Sequence, residues 1–221
     1  MVEIGFYLLT GVMVFTPLMI LNKSDHPTKR KRAYSIILTG WLIYIATLSN
    51  IGWLEDFSFP PRVPLLIVIP AIVFTISYTS QKWFKDAIAR VKDHQIIYLQ
   101  SFRIFVELLI YGGFLNGLFP ERSTFEGINF DILVGISAVI MGALVQSKKV
   151  KSKGILIWNI ASLTILGVTV YSFVSAYYFL NFGNGENFQF VRLPYVFLAS
   201  ILLPMAVFYH VISIRKQVLK K

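Results

Sequence analysis

A polar stripe interrupts one apolar segment of this chain. The segment QSFRIFVELLIYGGFLNGLFP, residues 100–120, has the composition of a membrane helix, yet it contains Gln100, Arg103 and Glu107. At about 100° of rotation per residue, these side chains and Tyr111 fall within an arc of about 80° on one helix face. Arg103 and Glu107 are four residues apart, so the two side chains can meet across one helical turn. A charged residue at the centre of a membrane helix is costly, so the stripe must face the interior of a helix bundle.

Two further apolar segments carry a polar residue at a similar depth. Asn159 lies in ILIWNIASL, and His210 lies in PMAVFYHVISI. Both are a few residues from the basic end of their segments, level with Gln100 and Arg103. We therefore expect these polar groups to converge. The predicted ligand-binding residues are Gln100, Arg103, Glu107, Tyr111, Asn159 and His210.

The stripe allows two interpretations. In the functional one, Arg103 holds an anionic group and Glu107 carries a proton, since ionisable residues inside a membrane often mark ligand or proton pathways. In the structural one, the Arg–Glu pair joins neighbouring helices, and Asn159 or His210 bonds a carbonyl near a helix end. The sequence leaves both interpretations open.

The composition indicates a membrane protein. Of the 221 residues, 56% are hydrophobic and 14% are charged, whereas soluble proteins carry roughly 25% charged residues. The mean hydropathy is +0.66. There is no cysteine, which excludes disulfides and thiolate chemistry. The net charge of +10 arises from basic residues in short links between apolar segments, so it indicates membrane topology and no nucleic-acid partner.

Seven apolar segments are long enough to be membrane spans, since about 20 residues cross the hydrocarbon core. We therefore predict an all-α membrane protein, a single domain over residues 1–221 with seven transmembrane helices. Pro17, Pro70 and Pro204 are expected to kink their helices, which neighbouring helices tolerate. The predicted spans are 2–21, 33–54, 62–79, 96–118, 130–146, 155–180 and 193–214.

The basic residues predict the orientation. Seventeen of the 21 Lys and Arg residues lie in alternate links or in the tail. The positive-inside rule then places the N-terminus outside and the C-terminus in the cytoplasm. The link at 80–94 is either an amphipathic helix lying on the inner leaflet or an ordinary basic loop. The outer link FPERSTFEGINFD, residues 119–131, is expected to be a solvated acidic loop, and no metal site is predicted.

Several cofactor sites are excluded by missing residues. The segment 193–214 has no lysine for a retinal Schiff base, and His210 is the one histidine within a span, which argues against a bis-histidine haem. Motifs for zinc proteases, serine hydrolases and P-loop ATPases are missing. No cofactor is therefore predicted. A membrane enzyme acting on a lipid, with His210 or Glu107 as base, and a sensory or structural subunit are the alternatives.

Two stretches carry a resemblance to a known group. QSFRIFVELLIYGGFLNGLFPERSTFEGINFDILVG, residues 100–135, and LPYVFLASILLPMAVFYHVISI, residues 193–214, resemble segments of small uncharacterised bacterial inner-membrane proteins. The resemblance implies a bacterial inner membrane and no particular activity. The leading functional prediction is a binding or transport protein for a small anionic or amphipathic molecule, with membrane lipids as surroundings.

Overall fold

A computed structural model describes residues 1–182 and 187–219 of the chain. All regular secondary structure within these two ranges is helical. The α-helices are α1 (Val2–Phe15), α2 (Pro17–Leu21), α3 (Pro27–Asn50), α4 (Ile69–Ser80), α5 (Lys82–Ala89), α6 (Asp93–Leu99), α7 (Phe102–Leu115), α8 (Asp131–Gln146), α9 (Ser152–Val174) and α10 (Leu203–Val218).

Several of the helices have the length and apolar composition of membrane spans. Among the described residues, five helical segments are long and apolar enough to cross a membrane. Pro64–Ser80 and α5, which meet at a bend of 76°, would make a sixth if the two together are counted as one span. The apolar helix α8 has only 16 residues. The five segments are Val2–Leu21, Pro27–Asn50, Asp93–Leu115, Ser152–Phe179 and Leu198–Val218.

Prolines break the regular helices where the sequence predicts kinks. α1 ends at Phe15, and Pro17 starts α2. Pro70 follows a π-helical turn at Pro64–Val68, and Pro204 follows another at Leu198–Leu202. Proline lacks a backbone N–H and its ring clashes with the carbonyl four residues earlier, so the α-helical hydrogen bonding is disturbed just ahead of it. A third π-helical turn, Ser175–Phe179, extends α9.

α10 lies at the centre of the bundle, packed against α4, α6 and α9. α8 packs along α6 and α7. Glycine allows this close approach: a Cβ atom on Gly135 would lie 2.8 Å from the backbone nitrogen of Ile104. α8 therefore lies directly on the backbone of α7, the helix that carries the polar stripe.

The basic link at 80–94 forms the amphipathic helix α5. Its apolar side chains Phe84, Ala87 and Ile88 are buried, and α5 contacts α2, α4 and α10. Lys82 is exposed. The apolar face of α5 therefore packs mainly on the protein and not on the inner leaflet.

Candidate functional site

Three of the predicted residues form one hydrogen-bonded chain across three helices. Arg103 Nη1 on α7 lies 2.9 Å from His210 Nε2 on α10, and His210 Nδ1 lies 2.8 Å from Asn159 Oδ1 on α9. A guanidinium has no acceptor, so His210 Nε2 must accept and the ring proton sits on Nδ1, which donates to Asn159. The amide of Asn159 donates in turn to Ser213 Oγ at 2.9 Å. The convergence expected from matched depth is therefore present for Arg103, Asn159 and His210.

The carboxylate that pairs with Arg103 is Asp131. Arg103 Nε donates to Asp131 Oδ2 at 2.5 Å, and Arg103 Nη2 donates to Asp131 Oδ1. This is the bidentate geometry that suits a guanidinium and a carboxylate. Arg103 and Asp131 are 1% and 3% exposed, so the ion pair is fully buried. Within the described residues Arg103 and Glu107 form no ion pair, although their spacing allows one.

Asp131 reaches Arg103 because the preceding loop folds into the bundle. Ser123, Thr124 and Asn129 in this loop are all completely buried. Asp131 is the first residue of α8, where a negative charge interacts favourably with the helix dipole. The expectation of a solvated acidic loop is therefore wrong for Asp131, while Glu121 and Glu126 are exposed as expected.

The polar side chains form two hydrogen-bonded groups, which we call polar arms. The Arg103 arm comprises Arg103, Asp131, His210 and Asn159, and Glu107 belongs to the second arm. Its Oε2 accepts a hydrogen bond of 2.7 Å from Asn129 Nδ2. Asn129 Oδ1 accepts from the backbone N–H of Asp131 at 3.0 Å and from Thr169 Oγ1 at 2.7 Å. Asn129 thus connects Glu107 to the segment that carries Asp131, and it fixes the position of one Glu107 oxygen.

The other oxygen of Glu107 is buried and has no hydrogen-bond partner among the described residues. Glu107, Arg103 and Asp131 all line a cavity with about 730 Å³ of empty space, counting its open side. The remaining wall is largely apolar and includes Val106, Leu166 and other side chains of α7, α9 and α10. A bare carboxylate oxygen on an apolar wall is unfavourable unless a proton or a ligand donor occupies it.

The three π-helical turns border this cavity. Residues of each turn line it: Pro64 and Val68 from the first, Tyr177 from the second, and Leu198 and Leu202 from the third. π-helical turns frequently occur at functional sites. Three breaks in helix geometry within the described part of the chain therefore meet around the cavity that Glu107 lines.

Two predicted residues lie apart from the polar network. Gln100 is buried, and its Nε2 donates to the carbonyl of Ala206 at 3.2 Å, one turn before His210. The hydroxyl of Tyr111 donates to Glu126 Oε1 at 2.9 Å, and its ring stacks on Phe125 with centroids 4.7 Å apart. Tyr111 thus contacts the loop that holds Phe125 and Glu126, and the structure does not bring it to Arg103.

Sequence reasoning missed Asp131, Asn129 and Thr169. One signal was available for the first of these. At about 1.5 Å per residue, a 16-residue helix covers about 24 Å, less than a hydrocarbon core of about 30 Å. If a helix this short spans the membrane, the acid that begins it is expected below the membrane surface. Asn129 and Thr169 carry no comparable signal in the sequence.

Comparison of the sequence with known proteins shows the family to which the chain belongs. A search of the curated proteins found no match, and neither did a search of the solved structures. Residues 60–218 match the model of a family described as a domain of unknown function, DUF8737. This range includes every residue of both polar arms and most of the chain. The protein therefore belongs to the DUF8737 family.

Proposed function

We propose that this protein binds and transports a small amphipathic molecule, with Glu107 as the group that accepts and releases a proton. The observation that carries the proposal is the unpartnered Glu107 oxygen on the wall of the 730 Å³ cavity. Pockets for small molecules commonly have apolar walls and a few polar groups. The cavity beside Glu107 has this character.

The two polar arms have different roles in this proposal. Arg103 is occupied by Asp131 and His210, so an anionic ligand would have to displace one of them. Breaking a buried ion pair leaves an uncompensated charge and costs about 3–5 kcal/mol. We therefore assign the Arg103 arm to holding α7, α8 and α10 in position. Glu107 is then the residue that binds the ligand.

Charge balance favours a ligand that donates hydrogen bonds or carries a positive charge. Arg103 and Asp131 neutralise each other, so an ionised Glu107 leaves one negative charge in an apolar surrounding. A proton or a cationic ligand compensates this charge equally well. Exchange of a proton for the ligand on one side of the membrane, and the reverse exchange on the other side, would couple the two fluxes.

For the membrane topology we propose seven spans, with the N-terminus outside and the C-terminus in the cytoplasm of a bacterial inner membrane. The five long segments supply five spans, and Pro64–Ser80 and α8 supply the other two. α8 can be short because its first turn is covered by the buried loop and not by lipid. The asymmetry of the basic residues supports this orientation.

The test uses the purified protein and the lipophilic cation tetraphenylphosphonium as probe. Binding should strengthen as the pH rises and should weaken at least tenfold in Glu107→Gln, because the amide cannot supply the compensating charge. The pH dependence should vanish in the same variant. Glu121→Gln, an exposed acid with the same substitution, is the matched control and should bind like the parent protein.

Unchanged binding and pH dependence in Glu107→Gln, with the parent's thermal stability, would overturn the proposal. Turnover of a lipid in detergent, without any gradient, would favour the enzyme alternative instead. In that alternative Glu107 is the better-placed base, because both ring nitrogens of His210 are already hydrogen-bonded.

A further inference from the structure

A second empty space lies on the opposite side of α10. This crevice separates α3 from α4 and α10 and contains about 1,350 Å³ of empty space, counting its open side. Its walls are apolar, with Leu38 on α3, Phe74 on α4 and Met205 on α10. Of the described helices, α3 packs most closely against the short α2 and stands off from the others.

Two aromatic side chains span the crevice and hold α3 at this distance. The indole of Trp41 donates to the carbonyl of Ser200 at 2.9 Å, and the hydroxyl of Tyr44 donates to the carbonyl of Leu66 at 3.1 Å. These carbonyls lie four residues before Pro204 and Pro70, so each has lost its usual helical N–H partner. The side chains of α3 replace that partner, and the crevice is therefore a fixed feature of the fold.

The dimensions of the crevice match one lipid leaflet. On α3 it extends from Tyr34 to Tyr44, a rise of about 15 Å. The hydrocarbon core is about 30 Å thick, so this length is about half of it. Gly40 lies midway on this wall, and a Cβ atom there would meet nothing within 4 Å. The middle of the crevice is open enough for an alkyl chain.

The end of the crevice toward the basic links carries positive charge and an unused hydroxyl. The guanidinium of Arg30 lies 4.0 Å from the ring centroid of Trp83, and that ring contacts the Tyr78 ring with centroids 5.4 Å apart. The Tyr78 hydroxyl is buried without a hydrogen-bond partner among the described residues. Arg30 forms no ion pair with any described carboxylate. Tyr78 lines the crevice, and Arg30 lies beside it across the Trp83 ring. A hydroxyl on the wall of an apolar crevice and a cation close to it are complementary to a phosphate on an acyl chain.

We propose that the crevice between α3, α4 and α10 binds one anionic phospholipid of the inner leaflet, with an acyl chain beside Gly40 and the phosphate at Arg30 and Tyr78. The lipid buries the apolar walls that the protein leaves open. Its phosphate neutralises Arg30 and accepts a hydrogen bond from Tyr78. This site is separate from the cavity at Glu107, and the proposal does not depend on transport.

The test titrates the full-length protein, in a neutral detergent, with phosphatidylglycerol whose acyl chains are brominated, and follows quenching of tryptophan fluorescence. Trp41 in the crevice reports an adjacent brominated chain. Gly40→Leu places a side chain in the empty space and should weaken apparent affinity at least fivefold. Gly167→Leu is the matched control, because that helical glycine also has nothing within 4 Å and lies outside the crevice.

The head group is tested separately. Arg30→Gln should reduce the preference for phosphatidylglycerol over phosphatidylcholine about fivefold, the size expected for one basic residue at a lipid surface. Arg32→Gln removes the same charge from the opposite side of α3 and should leave the preference unchanged. Equal effects of the two Gly variants, or of the two Arg variants, would overturn the proposal. Equal binding of both lipids by the parent protein would overturn its anionic part.

Discussion

Asp131 accepts a bidentate pair of hydrogen bonds from Arg103, although the two residues are 28 positions apart and lie on different helices. The pair fixes the first turn of α8 against the first turn of α7. It also places a neutral ion pair beside Glu107, so that the only carboxylate oxygen facing the cavity without a described partner belongs to Glu107.

The first prediction concerns this pair. Asp131→Leu leaves Arg103 buried without a carboxylate and should destabilise the protein by about 3–5 kcal/mol. The double variant Arg103→Met/Asp131→Leu removes both charges and should be less destabilised than Asp131→Leu alone. The measurement is the thermal unfolding midpoint in detergent. Glu121→Gln, an exposed acid, serves as the control and should change little. Additive losses in the double variant would show that the two side chains act independently.

The second prediction tests the close approach of α7 and α8. Gly135→Ala places a methyl group 2.8 Å from the backbone nitrogen of Ile104, which cannot rotate away as a side chain can. The helices must separate, which should weaken the Arg103–Asp131 pair and destabilise the protein by about 1–3 kcal/mol. Gly167→Ala is the same change at an open helical position, and it should be neutral or stabilising by up to about 1 kcal/mol. Similar unfolding midpoints for the two variants would contradict the close packing of α8 on α7.

The third prediction addresses the tethers of α3. Trp41→Phe removes the N–H that satisfies the Ser200 carbonyl, and it should cost about 1–3 kcal/mol. Pro204→Ala restores a backbone N–H four residues after Ser200, so the same Trp41→Phe change should cost less in that background. The unfolding midpoints of the parent, the two single variants and the double variant measure the coupling between Trp41 and Pro204. If Trp41 acts only by packing, Trp41→Phe would lower the stability by the same amount in the parent protein and in Pro204→Ala.

The fourth prediction concerns orientation. The chain has no cysteine, so a maleimide labels only a cysteine that is introduced by substitution. Glu121→Cys and Lys149→Cys both change exposed residues and lie in successive links on either side of α8. A membrane-impermeant maleimide should label Glu121→Cys in intact cells, and Lys149→Cys only after permeabilisation. Labelling of both from outside would refute the proposed topology.

Much of the helical framework could be read from the sequence. Long apolar segments separated by basic links predict membrane helices, because an unsatisfied backbone is too costly in hydrocarbon for other structures. The positions of Pro17, Pro70 and Pro204 predicted the breaks, since the missing N–H acts locally. The depths of Arg103, Asn159 and His210 predicted their convergence, because a polar group in a membrane helix must find partners at its own level.

The tertiary structure decided which partner each group received. Glu107 is four residues from Arg103 on the same helix, but its hydrogen bond comes from Asn129. Asp131 comes from a facing helix and accepts from both Nε and Nη2 of Arg103, which gives two parallel hydrogen bonds. That arrangement requires the loop to fold inward and Gly135 to admit close contact, and neither is visible in a one-dimensional pattern. Hydrophobicity and spacing along one helix fix the depth and the face of a side chain, whereas its contacts depend on how separate helices approach each other.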